Sequence, residues 1–228
     1  MTFETLSDFG LDGVNCELCG NTGTVTTQKD GILYSKECKC MAERRLIRNI
    51  KRSGMSDMLN RYTFESYTTP DEKRLQIKRK ATDFVRCKTG WFFIGGRSGS
   101  GKTHVCTAIC MELAKQGNNV QYMMWRDKIV ELKAYVNTDT YQEEIRKLKT
   151  VDALYIDDFL KGNITEADLN IAFELLNARY NDSKLRTVIS SELQIQHIAE
   201  LSEAIAGRIV ERANGFLISS PDENWRLK

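Results

Sequence analysis

An eight-residue glycine-rich segment, Gly96 to Thr103, limits the folds open to this chain more than any other feature. It has the pattern G-x-x-x-x-G-K-[ST], follows the apolar stretch Trp91 to Gly95, and precedes an amphipathic stretch from His104. A phosphate-binding loop of this pattern lies between a strand and a helix, and these flanking stretches fit that context. Its glycines let successive backbone N–H groups point at phosphate oxygens. The segment therefore predicts a P-loop nucleotide site in an α/β fold.

Each residue type in this loop has a predicted task. Lys102 is expected to bridge the β and γ phosphates of ATP, and the Thr103 hydroxyl to ligate Mg²⁺. The N-terminus of the following helix adds partial positive charge near the phosphates. The other predicted cofactor contacts in and beside the loop are Gly96, Ser98, Gly99, Ser100, Gly101 and His104.

A second motif follows at Val151 to Asp158, where an apolar run ends in two carboxylates. Ligands of open α/β folds bind at the carboxyl ends of the parallel strands, so these acids are expected beside the phosphate loop. Asp157 is predicted to hold Mg²⁺ through water. Asp158 is predicted to orient or deprotonate the attacking water.

From Trp91 onward, short apolar strands alternate with amphipathic helices. Repeated strand, helix, strand units predict a parallel sheet flanked by helices on both faces, which is an α/β fold. Further strands are expected over 119–124, 151–156, 187–190 and 216–218, and helices over 104–115, 127–136, 141–149, 166–180 and across 195–213.

Four of the seven cysteines form two close pairs near the N-terminus. Cys16 and Cys19 stand in a C-x-x-C-G turn, and Cys38 and Cys40 in a C-x-C segment, on either side of a predicted β-hairpin. Four thiolates satisfy tetrahedral Zn²⁺, so these residues are predicted zinc ligands; an iron–sulfur cluster or redox thiols are the alternatives. A region this short cannot build a core, so the metal should stabilise its fold. The other three cysteines are predicted to be core thiols.

Basic residues are concentrated in one stretch of the chain. Residues 31–90 carry fifteen basic and seven acidic side chains, a net charge of +8, whereas residues 1–30 have a net charge of −4. The basic run over 44–52 fits contacts with phosphates or an acidic partner, and equally fits an ordinary solvated helix face. No apolar run approaches the roughly 20 residues needed to cross a bilayer, and no export signal is visible. We therefore expect a cytoplasmic protein without membrane partners.

Together with the aromatic run Tyr62 to Tyr67, these motifs resemble the AAA+ helicase-loader family typified by DnaC and DnaI. The shared order is the aromatic run, a strand with a G-x-S-G-x-G-K-T-H loop, and a strand ending in Asp-Asp, over roughly residues 55 to 228. The resemblance implies a slow ATPase stimulated by assembly or DNA. It also implies a hexameric replicative helicase and single-stranded DNA as partners, and self-association in the ATP-bound form.

The implied organisation has three parts. Residues 1–45 form a zinc-binding, helicase-interacting module like the N-terminal module of DnaI-like loaders. Residues 46–61 form a basic helical linker, and residues 62–228 form the AAA+ P-loop ATPase domain.

The resemblance assigns roles to residues outside the two phosphate motifs. Arg208 matches the arginine finger, which would reach the ATP of a neighbouring subunit, and Arg226 matches a terminal sensor arginine. Where the family has an asparagine that senses the γ-phosphate, this chain offers Ser191 or Glu192. A carboxylate at that position would repel phosphate rather than donate a hydrogen bond.

Single-stranded DNA is expected to contact the helical region Trp125 to Lys149, by the same resemblance. Trp125 or Tyr135 could stack on bases. Interleaved acidic residues also fit a charge-balanced solvated helix, which is slightly favoured for any one residue. The phosphate-contacting residues predicted there are Lys128, Lys133, Arg146, Lys147 and Lys149.

Three other functions fit parts of the sequence. An IstB-type transposition helper ATPase shares the P-loop domain and would bind a transposase and duplex DNA. A nucleotide-binding adaptor without turnover is compatible with Asp158, where AAA+ ATPases commonly have Glu. A P-loop nucleoside kinase with a zinc ribbon fits less well, because the cysteine pairs precede the phosphate loop here.

Overall fold

The computed structural model describes residues 12–52 and 61–221 of the chain. The strands and helices from Trp91 onward agree in order and type with those predicted, with ends shifted by a few residues. In chain order the elements are β1 (Thr24–Lys29), β2 (Ile32–Glu37), α1 (Cys40–Arg52), α2 (Glu72–Arg86), β3 (Gly90–Gly95), α3 (Lys102–Lys115), β4 (Val120–Met124), α4 (Trp125–Ala134), α5 (Asp139–Thr150), β5 (Ala153–Asp157), α6 (Glu166–Asn181), β6 (Arg186–Ser191), α7 (Ile195–Leu201), α8 (Glu203–Arg212) and β7 (Leu217–Ser219).

Five strands form one parallel sheet in the order β4-β5-β6-β3-β7. The chain runs from the interior strand β3 to the edge strand β4, returns through β5 and β6, and ends at β7 on the other side of β3. Parallel neighbours need crossover connections, and helices supply them here. The carboxyl ends of β3, β5 and β6 therefore lie side by side at one edge of the sheet.

Side chains that alternate along the strands divide the core into two layers. On β3, Phe92 and Ile94 join the cluster that contains α1, α2 and α3, whereas Trp91 and Phe93 join the cluster formed with α4 to α8. All four side chains are at most 1% exposed. Burial on both faces explains why this strand is an uninterrupted apolar run. The predicted α/β fold, a parallel sheet flanked by helices, is confirmed.

The N-terminal region is an antiparallel hairpin of β1 and β2 followed by α1. Asp30 and Gly31 both have positive φ angles, 51° and 78°, as expected for an Asp-Gly hairpin turn. Helix α1 packs on α3 and β4, and its Leu46 and Ile50 side chains are fully buried in the cluster shared with those elements. The helix crosses the predicted boundary between residues 45 and 46. Residues 53–60 of the predicted linker lie outside the described part.

The remaining cysteines divide between the core and the surface. Cys106 and Cys110 on α3 are at most 1% exposed, as predicted. Cys87 was predicted to be buried as well, but it is only partly covered because the chain leaves α2 at that residue. No described helix is long and apolar enough to cross a bilayer.

Candidate functional site

The loop between β3 and α3 has the backbone that phosphate binding requires. Gly96, Gly99 and Gly101 have φ angles of 136°, 77° and 92°. A β-carbon at Gly96 would collide with the Ser220 hydroxyl, so that position also needs glycine for space. Gly101 is the N-cap of α3 and provides no side-chain cap, which leaves the first N–H groups of this helix available to an anion.

A cavity of about 220 Å³ opens over this loop. Seven of its lining residues are predicted site residues: Ser98, Gly99, Gly101, Lys102, Thr103, His104 and Asp158. The other three lining residues, Tyr62, Lys161 and Glu192, come from three separate segments.

Lys102 is held by the loop that precedes it. Its ammonium group donates hydrogen bonds to the carbonyls of Gly96 (2.6 Å) and Arg97 (2.7 Å). Burial lowers the pKa of Lys102, and the nearby carboxylates oppose that effect. The Ser100 hydroxyl is buried; it donates to Arg97 O at 2.9 Å, and its oxygen also lies 2.9 Å from the Ser220 hydroxyl, which can donate to it. Ser100 and Gly96 therefore shape the loop, and neither is among the residues that line the cavity.

Asp157 lies at the end of β5, behind the loop, and is 1% exposed. Thr103 Oγ1 donates to Asp157 Oδ1 at 3.2 Å, which brings the two predicted magnesium ligands together. Ser190 donates to the same oxygen, and Tyr122 donates to Oδ2 at 3.2 Å. Burial raises the pKa of Asp157, while the hydroxyls of Ser190 and Tyr122 act to lower it. Hard oxygen ligands at this position suit Mg²⁺.

Asp158 turns away from the sheet towards the cavity and pairs with a lysine. Lys161 Nζ lies 2.9 Å from Asp158 Oδ2 and 2.9 Å from Glu192 Oε1. Partial burial opposes the charge of Lys161, but its bonds to the two carboxylates raise the pKa of this lysine above its usual value. Lys161 was not among the predicted site residues. Its position four residues after the strand-ending Asp157 was the available signal.

The end of β6 differs from the sequence-based expectation. Ser191 was predicted to contact the nucleotide, but its hydroxyl is fully buried and donates to Phe159 O at 2.7 Å. Ser190, one residue earlier, instead bonds the carboxylate of Asp157. Alternation along a strand explains the difference, because neighbouring side chains point to opposite faces. Of the two predicted alternatives, only Glu192 lines the cavity.

The aromatic run before α2 lies against the start of α3. Tyr62 stacks on the His104 ring, with centroids 4.8 Å apart and an interplanar angle of 24°, and Tyr67 meets the same ring edge-on at 5.1 Å. His104 Nε2 lies 2.9 Å from the carbonyl oxygen of Thr63. Burial lowers the pKa of His104, which favours the neutral ring. His104 therefore lines the cavity while its ring is held in place by the aromatic run.

Arg208, the predicted arginine finger, is not among the residues that line this cavity. Arg208 on α8 donates from Nε and Nη2 to Asn177 Oδ1, at 2.9 and 2.8 Å, and its guanidinium lies 4.4 Å from the centre of the Phe173 ring. A finger that acts on a neighbouring subunit would also lie away from its own nucleotide. Arg226 lies outside the described residues.

The predicted DNA contacts on α4 and α5 carry internal ion pairs. Trp125 is 2% exposed and packs edge-on against Phe159, so the prediction that it stacks on bases is wrong. Tyr135 is 42% exposed. Arg146 is exposed as well. The ion pairs on these helices are Lys128 with Glu131 and Glu144, Lys133 with Asp168, Lys147 with Glu143 and Glu144, and Lys149 with Glu174.

The four N-terminal cysteines converge. Their sulfur atoms all lie within 4.8 Å of one another, with Cys16 to Cys38 at 3.7 Å and Cys19 to Cys40 at 3.6 Å. A tetrahedral zinc with bonds of about 2.3 Å places its sulfurs about 3.8 Å apart, so the thiol set fits that ion. Burial raises the pKa of Cys38 and Cys40; it also acts to raise that of Cys19, but the Gly23 N–H and the neighbouring thiols lower the pKa of Cys19 to about 6. A thiolate is the form that binds metal.

Three relatives place these features in a family context. The chain is 29% identical to the uncharacterized protein YqaM of Bacillus subtilis over 85% of this chain and 66% of that protein. It is 26% identical to the phage-like element PBSX protein XkdC of the same species, over 90% and 81%. It is 24% identical to the replicative helicase loader DnaC of Escherichia coli, over 72% and 68%. About a third of YqaM and of DnaC therefore lies outside the matched region.

Solved structures agree with the fold. The DnaI structure superposes with a TM-score of 0.59 at 26% identity, covering 74% of this chain and 92% of that one. The DnaC helicase loader structure has a TM-score of 0.59 at 18% identity and covers 71% and 98%. A family model described as IstB-like ATP binding protein matches residues 21–228. The chain therefore belongs to the IstB-like ATP-binding proteins and carries a DnaC-like AAA+ P-loop domain.

Proposed function

We propose that this protein is an ATP-dependent loader that delivers a hexameric replicative helicase onto single-stranded DNA. The observation that carries the proposal is the phosphate cavity, with Lys102, Thr103 and Asp157 converging in a chain whose relative from E. coli is named a replicative helicase loader. The similarity to the DnaI structure at 26% identity also supports it.

ATP would lie with its phosphates on the N–H groups of the loop and the first turn of α3. Lys102 would exchange its two carbonyl partners for the β and γ phosphates. Thr103 and Asp157 would hold Mg²⁺, which supplies charge neutralisation on the phosphates. Asp158 would orient the attacking water for ATP hydrolysis. Hydrolysis would be slow until assembly or DNA stimulates it.

The zinc-binding module proposed for residues 1–45 would hold Zn²⁺ through its four cysteines and dock the helicase. The exposure of apolar side chains on this module supports the docking role, because large apolar side chains grouped on a surface often mark interaction sites. These side chains are Leu18 (59% exposed), Ile32 (58%), Leu33 (69%) and Tyr34 (51%).

ATP-bound subunits would associate through Arg208, and DNA would contact α4 and α5. The ion pairs on these two helices leave Arg146 and Tyr135 as the better supported DNA contacts. Four of the five predicted cations would have to exchange a carboxylate partner for phosphate.

A co-purification experiment tests the proposal. Tagged protein is mixed with hexameric replicative helicases in ATP or ADP, and the bound helicase is measured together with ATP turnover with and without single-stranded DNA. We expect helicase retention and DNA-stimulated turnover. Retention of no replicative helicase would count against the loader function, and binding without turnover would favour the adaptor.

The family description supports a second function, an IstB-type transposition helper. That protein would bind a transposase and would prefer duplex to single-stranded DNA. Competition between the two DNA forms for the ATP-bound protein distinguishes the helper from the loader.

A further inference from the structure

We infer that Lys161 is a positioning residue that makes the nucleotide site select a triphosphate over a diphosphate. The inference rests on the nucleotide binding proposed above. Lys161 would act by neutralising two carboxylates, Asp158 and Glu192, that otherwise face the place where the terminal phosphate must enter.

The backbone after β5 sets up this arrangement. Asp158 and Leu160 have φ angles of 53° and 55°, a region that non-glycine residues seldom occupy. Phe159, which lies between these two residues, and Leu160 itself are at most 2% exposed and anchor the turn in the core. The Phe159 N–H donates to Ser190 O at 2.8 Å. The turn therefore buries its apolar residues and leaves Asp158 and Lys161 on the cavity side.

The ion pairs are short and lie inside the cavity. Lys161 Nζ is 2.9 Å from one carboxylate oxygen of Asp158 and 2.9 Å from one of Glu192, and all three residues line the cavity with Lys102. Two oxygens that touch the same nitrogen lie at most twice that distance apart. Without the lysine, two negative charges would face each other and the incoming phosphate.

The charge of the lining explains why the terminal phosphate is affected most. The lining acids are Asp158 and Glu192, and the lining ammonium groups are Lys102 and Lys161. Lys102 would bind the phosphates from the loop side, so Lys161, which pairs with both acids, is the lining cation that balances them. In P-loop sites the loop and its lysine cradle the β and γ phosphates, and ADP lacks the γ-phosphate that would have to enter beside these two acids.

Calorimetric titration with a non-hydrolysable ATP analogue and with ADP, both with Mg²⁺, tests the inference. Lys161→Gln should weaken binding of the triphosphate by about tenfold and of ADP by less than about threefold, because charge-assisted bonds are worth about that factor. Lys161→Arg should keep the wild-type preference. Adding Glu192→Gln to Lys161→Gln should restore most of the triphosphate affinity by removing the unscreened charge.

Lys115→Gln is the control, because Lys115, the last residue of α3, also pairs with a carboxylate, that of Glu112, outside this cavity. It should leave both affinities unchanged. Equal weakening of both nucleotides, unchanged affinities, or no recovery in the double variant would overturn the role of Lys161. If the wild-type protein binds neither nucleotide, the proposed site itself is wrong. Wild-type titration thus separates the two failures.

Discussion

Asp157 experiences two opposing influences. Its near-complete burial favours the neutral carboxylic acid, and the hydroxyl groups of Thr103, Ser190 and Tyr122 favour the carboxylate by donating hydrogen bonds. Mg²⁺ binds the carboxylate form. In the proposed site, the charge state of this one acid would therefore link the hydroxyls around it to Mg²⁺-dependent nucleotide binding.

Replacing Ser190 should expose this link. Ser190→Ala removes one donor, so the already raised pKa of Asp157 rises further and its neutral fraction grows as pH falls. We expect Mg²⁺-dependent ATP affinity to fall by up to about tenfold at pH values below the pKa of Asp157 and by much less above it, since a hydrogen bond to a charged group is worth roughly that factor. Titrations between pH 8 and 5 should show the loss beginning at higher pH in the variant than in the wild type.

Ser191→Ala is the matched control, since that hydroxyl bonds Phe159 O and not Asp157. It should keep the wild-type dependence on Mg²⁺ and pH, even if stability decreases. Identical pH profiles for wild type and Ser190→Ala would contradict the assigned role of Ser190.

Helix α6 starts with a reciprocal cap that also fastens it to α4. Asp168 accepts bonds from the N–H and the hydroxyl of Thr165, both at 2.8 Å, and Thr165 accepts from the Asp168 N–H. Lys133 of α4 lies 2.7 Å from the other Asp168 oxygen. Although burial acts to raise the pKa of Asp168, Lys133 and Thr165 lower it below its usual value.

Asp168→Asn should lower the free energy of unfolding by about 1 to 2 kcal/mol at pH 7, the cost of a lost cap and a buried partner. The lowered pKa means that this stabilisation is complete above the unfolded-state pKa of about 3.9 and is lost as pH falls through the folded-state value. Urea denaturation should therefore show the difference from wild type shrinking below about pH 4. Asp139→Asn, an exposed first-turn acid on α5, should change stability little at either pH.

We expect the β1–β2 hairpin to depend on the cysteine cluster more than on packing. Nearly every hairpin residue is exposed, and an isolated two-stranded hairpin is marginally stable in water. Helix α1 differs, because Leu46 and Ile50 lie in the cluster shared with α3. Metal should therefore fix the hairpin and the start of α1, while apolar packing holds the rest of that helix.

Removing zinc with a strong chelator should selectively unfold the β1–β2 hairpin and the cysteine segments that flank it. Hydrogen exchange should rise over residues 16–40 and change much less over β3 and α3. Zinc content measured on the purified protein is the companion experiment, and Cys19→Ser should reproduce the exchange pattern. Unchanged exchange over 16–40 after complete metal removal would contradict a structural metal.

The proposed arginine-finger role of Arg208, which lies on α8 outside the cavity of its own subunit, implies that nucleotide hydrolysis depends on assembly. Arg208→Ala should keep ATP affinity and lose most turnover. Arg212→Ala, one turn later on the same helix, is the control and should retain turnover. Turnover by Arg208→Ala equal to that of the wild type would exclude the arginine-finger role.

Mixing two inactive variants tests assembly directly. Lys102→Ala subunits cannot hold ATP but can donate Arg208, and Arg208→Ala subunits can hold ATP but lack the finger. A mixture should recover part of the turnover that neither variant has alone. Failure of this complementation, with both variants folded, would argue that each subunit acts by itself.

Residue type and spacing were enough to predict the features that depend on local chemistry. The glycines of the phosphate loop, the run that ends in Asp157 and Asp158, and the alternation of strands and helices follow from backbone freedom and short-range periodicity. The convergence of Cys16, Cys19, Cys38 and Cys40 was predictable as well, because a β-hairpin brings together the two segments that flank it, and each of these carries one cysteine pair.

Contacts between distant segments could not be read in the same way. Lys161 meets Glu192 only because β5 and β6 are neighbours in the sheet. Ser190 rather than Ser191 reaches Asp157 because the two side chains point to opposite faces of the sheet. Trp125 is buried against Phe159 although it begins a helix that is otherwise rich in charge. A residue's type limits the chemistry open to it, but the packing of elements far apart in the chain selects its partner, and with it the role.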